Sequence, residues 1–375
     1  MAGLWYSGAV RTLPFILFTA MAAPGVVPAQ SAREWNAETA ARYLDERAAV
    51  WKAHPKTQRS HETACISCHT GLPYLLARPG LRRLLGEAAS PQPEKALLSD
   101  VEKRIRLWEQ VEPWYSHTPD KIQESKGTEA IVNALVLALR DRERGETSPL
   151  TRQAIGHMWK EQRKAGPQRG GWSWLDFGLA PWETKESEVW GACLAALAVA
   201  AAPGYASEPD ARGPAALLRG YLRLRVSEPL NLHSRLGLLW ASTLQKDLLE
   251  REEQTRIATE ALRVQRSDGG FSLEELGHWE RQDDSPPADG GDGYATGLVT
   301  YVLLRLDDPT LRPATERALT WLRAHQDREG FWDARSANLS RKNDDAFVRL
   351  FMRDAASGYA VLALGEAESG RPPTR

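Results

Sequence analysis

The chain has 375 residues, with 48 Lys plus Arg against 49 Asp plus Glu and a formal net charge of −1. No basic surplus exists to neutralise a phosphate backbone, which argues against nucleic-acid binding as a main role. Hydrophobic residues at 42% and charged residues at 26% mark a folded globular chain, and 3 cysteines are too few for a disulfide-stapled scaffold.

Residues 1–29 carry one charge, Arg11, then an apolar stretch from Leu13 to Ala23, then Val27 and Ala29 in the small-residue pattern of a cleavage site. This is the layout of an export signal, and it predicts a periplasmic or otherwise exported protein. The stretch is shorter than the roughly 20 residues a bilayer span needs, and the later Ala-rich run Val189 to Ala202 is also too short and reads as a buried helix, so no transmembrane span is expected after signal removal.

An amphipathic helix is predicted over Ala37 to Ala53. After it comes Cys65-Ile66-Ser67-Cys68-His69, the C-x-x-C-H pattern. Its two thiols, one turn apart, can add to one edge of a porphyrin while the adjacent His ligates iron. A disulfide, a zinc site and a thioredoxin-like pair are the other readings of such spacing. Only Cys193 remains as a further thiol, and no βαβ pattern flanks the motif. From Glu38 to Arg83 the chain resembles the cytochrome c family. That resemblance implies covalent haem c held by Cys65 and Cys68, with His69 as axial iron ligand. No Met lies between His69 and Met158, so His54, His61, His117 and Met158 are the sixth-ligand candidates, His117 first.

From Glu94 onward, helix follows helix: Leu97 to Gln110, Thr128 to Arg142, Thr151 to Arg163, Ser187 to Ala202, Gly213 to Val226 and on to Asp354 to Glu366. Almost nothing alternates with period two, so no sheet is expected. A repeat recurs three times. Gln326 precedes Gly330, Phe331 and Trp332; Gln265 precedes Gly269, Gly270 and Phe271; Gln162 precedes Gly170, Gly171 and Trp172. In each, glycines permit a positive-φ turn, the Gln is positioned to cap backbone, and the aromatic is placed to stack on its amide.

This repeat resembles the QW motif of the squalene–hopene cyclase and prenyltransferase families, over roughly Thr128 to Gly370. The resemblance implies an all-α fold, an α/α toroid of helix pairs around a central cavity. Fewer pairs are visible than six, unless the segment before Thr128 contributes. The division expected is 1–29 signal, 30–127 cytochrome c-like segment and 128–370 toroid. The D-x-D-D acid of the cyclases has its nearest match in Lys342-Asn343-Asp344-Asp345, where Lys342 displaces the first Asp. The D-x-C zinc pattern of protein prenyltransferases is also missing around Cys193.

Trp is abundant, 14 against 9 Tyr and 7 Phe. Trp172, Trp174 and Trp182 gather with Asp176, Glu183, Glu186 and Glu188 in one Pro/Gly-bearing loop. Those acids either cap the helix that follows or bind a ligand at the cavity mouth. The catalytic candidates are Asp176, Glu183, Asp344 and Asp345. The leading expectation is a periplasmic c-type haem protein that transfers electrons with a redox partner protein, its toroid holding an apolar small molecule. The alternative is a squalene cyclase-like or other α/α-toroid enzyme acting on an apolar or polyprenyl-type substrate. A third reading is a binding module.

Overall fold

The computed structural model describes residues 34–286, 289–306, 308–338 and 345–370, with Met1 and Gly3. Twelve long helices alternate between an outer and an inner layer. The outer ones are α1 (Ala37–Ala53), α3 (Gln92–Arg106), α5 (Pro149–Glu161), α7 (Pro209–Val226), α9 (Arg251–Arg263) and α12 (Arg312–Ala324). The inner ones are α2 (Gly71–Leu84), α4 (Pro119–Arg144), α6 (Glu188–Ala201), α8 (Leu232–Leu244), α11 (Gly293–Leu304) and α14 (Phe351–Glu368). Two short helices, α10 (Leu273–Gly277) and α13 (Ala346–Arg349), sit in the loops before α11 and α14.

Sequence decides the layer. The inner helix α6 is apolar on every side and buries 12 of its 14 residues. The outer helix α9 is polar and buries only Ile257, Ala258 and Ala261. A helix apolar all round must be covered all round, whereas a helix with one apolar stripe rests on the surface of others. Each inner helix touches the next, and α14 returns to α2, so the ring closes. Small residues permit the close approaches: a Cβ on Gly297 of α11 would meet the Ala360 nitrogen of α14 at 2.5 Å.

The ring therefore holds six pairs, more than the sequence pattern alone yielded. Residues 37–127, expected to form a cytochrome c-like segment, supply two outer helices, one inner helix and the start of α4. That helix runs unbroken through residues 127 and 128. Arg104 of α3 and Glu129 of α4, each 1% exposed, form an ion pair that locks this region to the rest. The two ends of the ring adjoin as well: the Trp35 indole donates to Glu368. Among the described residues the only strands are β1 (Gln58–Arg59) and β2 (Thr63–Ala64), one small antiparallel pair.

The three Gln repeats are clamps between outer helices. Gln162 Nε2 donates to Gly170 O at 3.0 Å and to Pro214 O of α7 at 3.0 Å. Gln265 Nε2 does the same to Gly269 O at 2.9 Å and Ala314 O of α12 at 2.8 Å. Gln326 reaches Asn36, the N-cap of α1. The aromatic has a different job from the expected amide stacking. The Trp172 and Trp332 indoles each donate, at 2.7 Å, to a carbonyl of the preceding outer helix, Met158 O and Leu322 O. Gly330 must be glycine twice over. Its φ is +98°, and a Cβ there would lie 2.2 Å from Thr39 O.

Because the layers alternate, every inner helix begins at the same end of the ring. The loops that enter inner helices are long there, as in 162–187, 264–292 and 325–350, while those at the far end are short, as in 145–148 and 245–250. Long loops on a rigid scaffold are where functional groups gather.

Candidate functional site at the inner-helix N-termini

The C-x-x-C-H segment forms the entry to α2. Ser67 Oγ accepts the backbone N–H groups of Thr70 and Gly71, both at 3.0 Å, which caps that helix. Trp51 Nε1 donates to Cys65 O at 2.8 Å and fixes the loop against α1. His69 then stands at the mouth of the ring, stacked on Phe351 with ring centroids 3.8 Å apart and flanked by the edge of Trp51.

The Thr70 hydroxyl and Asp354 settle the His69 tautomer. Thr70 Oγ1 donates to Asp354 Oδ2 at 2.7 Å, so its lone pair receives the His69 Nδ1 proton across 2.9 Å. Asp354 is itself gripped by Arg47, through Nε at 2.7 Å and Nη2 at 3.0 Å, and by the Tyr43 hydroxyl at 3.0 Å. Burial lowers the His69 pKa to about 3, and the Arg47 charge adds to that, so the ring is neutral at pH 7. Nε2 is left with its lone pair.

Glu183 comes from a tight turn. Its carbonyl accepts N–H groups from Phe177 and Leu179, both at 2.9 Å, and its own N–H donates to Leu179 O at 2.8 Å. The turn is anchored by Trp182, whose indole donates to the Tyr294 hydroxyl at 2.9 Å, and by Asn338, which bonds the Ala180 backbone. The Glu183 carboxyl accepts no hydrogen bond among the described residues. Burial raises its pKa from 4.5 to about 7, and Lys121 opposes part of that rise. Its charge also helps to raise the pKa values of Cys65, Cys68 and Tyr115. Glu183 and His69 are only half-buried by surface exposure, yet burial shifts both.

A third wall is His233, whose Nε2 lies 2.7 Å from the Tyr294 hydroxyl. Tyr294 accepts from Trp182, which leaves its proton to bridge toward His233, a ring that burial keeps neutral with a pKa of about 3. Tyr294, His233, Thr70 and Asp354 were not singled out in the sequence. Asp354 and His233 carry the one available signal, a polar residue on an otherwise buried helix face.

The other candidates fall elsewhere. Asp176 closes its own turn by accepting Gly178 N–H at 3.0 Å, and its carbonyl takes Lys121. Glu186 bonds Asn231 and Glu188 pairs with Arg163, so those two acids serve the fold as helix-end groups, whereas Glu183 does not. Asp345 caps α13 and pairs with Lys56. Asp344 and the export signal lie outside the described residues. His117 is exposed before α4, His61 bonds Gln110 O, His54 stacks on Phe347, and Met158 is buried in α5.

The haem and electron-transfer reading needs correction. Cys65 and Cys68 are free thiols, each 4% exposed, inside the hydrophobic core of the ring. No group of three or more His, Cys, Asp or Glu is arranged to hold a metal among the described residues. Solved α/α toroids align over 87–89% of the chain.

No protein-family model matches the chain. No curated protein matches it either. Solved structures do match its fold, which is that of the α/α toroids. An unsaturated glucuronyl hydrolase from Bacillus sp. GL1 aligns with a TM-score of 0.54 at 12% identity, over 89% of this chain and 95% of that one. An α-1,6-mannanase of Salegentibacter sp. HEL1_6, bound to α-1,6-mannotriose, aligns with a TM-score of 0.53 at 12% identity, over 87% of this chain and 100% of that one. A glycosidase variant aligns with a TM-score of 0.52 at 10% identity, over 88% and 98%. No helix among the described residues is long and apolar enough to cross a membrane.

Proposed function

We propose that the protein is an exported α/α-toroid enzyme that does acid–base chemistry on a substrate held at the N-terminal mouth of its inner ring. The observation that carries this reading is Glu183: an enclosed carboxyl without a hydrogen-bond partner among the described residues, whose pKa of about 7 keeps a proton available near neutrality. Glu183 donates that proton, and the neutral His69, held with its lone pair on Nε2, receives one. Export rests on residues 1–29.

The walls around Glu183 indicate the substrate class. Trp51, Trp182 and Phe351 surround His69, while the nearby polar groups are largely engaged with one another: Asp354 with Arg47, and His233 with Tyr294. Such a site suits a substrate with an extended apolar face and one basic or unsaturated point to protonate. The second reading is cleavage of a glycoside, supported by the hydrolases and glycosidase that share this fold along their whole length. Turnover of the mature protein on a panel of prenyl and polycyclic alkenes beside aryl glycosides separates the two. In either case Glu183→Gln is expected to slow turnover by about 10²–10⁴-fold. A fully active Glu183→Gln protein rejects the reading.

A further inference from the structure

Two loops that enter opposite inner helices are tied to each other. Asn338, in the loop before α14, accepts the Ala180 N–H on Oδ1 at 3.0 Å and donates from Nδ2 to the Ala180 carbonyl at 2.6 Å. Ala180 stands in the turn before α6. The inner helices follow one another round the ring as α2, α4, α6, α8, α11 and α14, so α6 and α14 face each other across it. A bond between their entry loops therefore crosses the N-terminal mouth. Glu183 lies just past that bond, in the same turn as Ala180.

The two sides of the bond are held very differently. The Ala180 side is fixed from within: Trp174 Nε1 donates to Trp182 O at 2.7 Å, Trp182 Nε1 to the Tyr294 hydroxyl at 2.9 Å, and Ser187 Oγ to Pro181 O at 3.0 Å. Ala180, Pro181 and Trp182 are all buried. The Asn338 side is held by polar bonds. There Arg335-Ser336-Ala337-Asn338 meets Arg281-Gln282-Asp283-Asp284-Ser285-Pro286 from the loop before α11, and neither segment contains a large apolar side chain. Arg281 joins the two, through Nε to Ser285 Oγ and Nη2 to Ser336 O, both at 2.8 Å. Gln282 N–H donates to Ala337 O at 2.9 Å, and Arg335 Nη2 to Ser285 Oγ at 2.6 Å. The two segments thus make one small body. Without a hydrophobic anchor of its own, such a body opens at a lower free energy than the helices beneath it.

We propose that residues 281–286 and 335–338 are a lid on the N-terminal mouth, with the Asn338–Ala180 pair as its latch. The lid moves as a unit, because Arg281 binds its halves together, while the turn that carries Glu183 stays in place. Opening admits substrate, and closing shuts Glu183 away from bulk water. The lid's role rests on Glu183 as the proton donor, whereas its motion is measured without turnover, so either can fail alone.

A thiol placed under the lid reports access. Glu183→Cys is made in the full mature protein, alone and combined with Asn338→Ala, Asn338→Asp or Arg281→Met. Each protein is labelled with methyl methanethiosulfonate at pH 8, position 183 is followed by mass spectrometry, and melts are run alongside. Asn338→Ala removes both latch bonds, so labelling should quicken about tenfold with the melting temperature unchanged. Asn338→Asp keeps only the bond from Ala180 N–H and should fall between. Arg281→Met unties the two halves and should quicken labelling as well. Equal rates with and without the latch overturn the proposal. So does labelling of the Glu183→Cys protein as fast as a free thiol, which means an open mouth, or acceleration that tracks a lowered melting temperature, which means general loosening.

Discussion

Gln326 holds both backbone groups of Asn36: its Oε1 accepts the Asn36 N–H at 2.6 Å, and its Nε2 donates to the Asn36 carbonyl at 2.9 Å. One amide thus joins the end of the last outer helix to the cap of the first. Asn36 in turn caps α1 through Thr39 N–H at 2.8 Å. The closing contact of the ring is a side chain read in the sequence as a local turn element.

Gln326→Ala removes two hydrogen bonds to part-buried backbone and leaves the Asn36 N–H without its acceptor. A loss of about 2–3 kcal/mol is expected, read as a lowered midpoint in urea. Gln162→Ala and Gln265→Ala, which break clamps between other outer helices, should cost similar amounts. A Gln326→Ala protein that unfolds at the wild-type midpoint would show that packing alone closes the ring.

The raised pKa of Glu183 makes stability depend on pH with a definite sign. Between 4.5 and about 7 the folded protein keeps a proton that the unfolded chain has released. Stability contributed by this group is therefore whole below 4.5 and is lost as pH rises through about 7. Glu183→Gln removes the titration and should be more stable than wild type above pH 7, by about 1–3 kcal/mol given its partial exposure. Urea midpoints of both proteins at intervals from pH 5 to pH 8 check this; parallel profiles would contradict it.

Thr70 is predicted to position His69. Thr70→Val severs the bridge from the imidazole to Asp354, while Thr70→Ser keeps it. In the valine variant the His69 Nδ1 proton loses its acceptor, and nitrogen NMR should report a mixture of tautomers where the parent has one. Turnover should fall in Thr70→Val and recover in Thr70→Ser. Equal tautomer signatures in all three proteins would remove Thr70 from the site.

The cysteines should be unreactive in the folded state. Burial raises the Cys65 pKa to about 11 and pushes Cys68 and Cys193 upward too, so little thiolate exists at pH 8. A thiol reagent should label the native protein slowly and three thiols at once in denaturant. Rapid native labelling of Cys65 or Cys68 would place them at an open surface.

Much of the architecture was legible because it follows from local pattern. The helix predicted over Ala37 to Ala53 forms with those bounds, and the helix around Val189 to Ala202 is the buried inner element that its apolar composition requires. The Gln–Gly–aromatic repeat pointed to a toroid. The first part of the ring was misread because C-x-x-C-H is a strong local pattern, and its spacing carries no information about what packs on the thiols. Glu183 was named among four acids, but nothing in the loop distinguished it from Glu186 and Glu188. That difference comes from Arg163 and Asn231, which reach those two acids from other parts of the fold. The His69 bridge was invisible for the same reason, since Thr70 and Asp354 lie 284 residues apart in the chain.

The contact between Trp35 and Glu368 brings the start of α1 beside the end of α14. A ring whose ends meet has no privileged first pair. Joining Trp35 to Glu368 through a short linker and cutting instead at Gly145, an exposed glycine between α4 and α5, should give a circularly permuted protein of the same topology. The order of synthesis would change while every helix kept its neighbours, so the order in which the pairs emerge is separable from the shape they make.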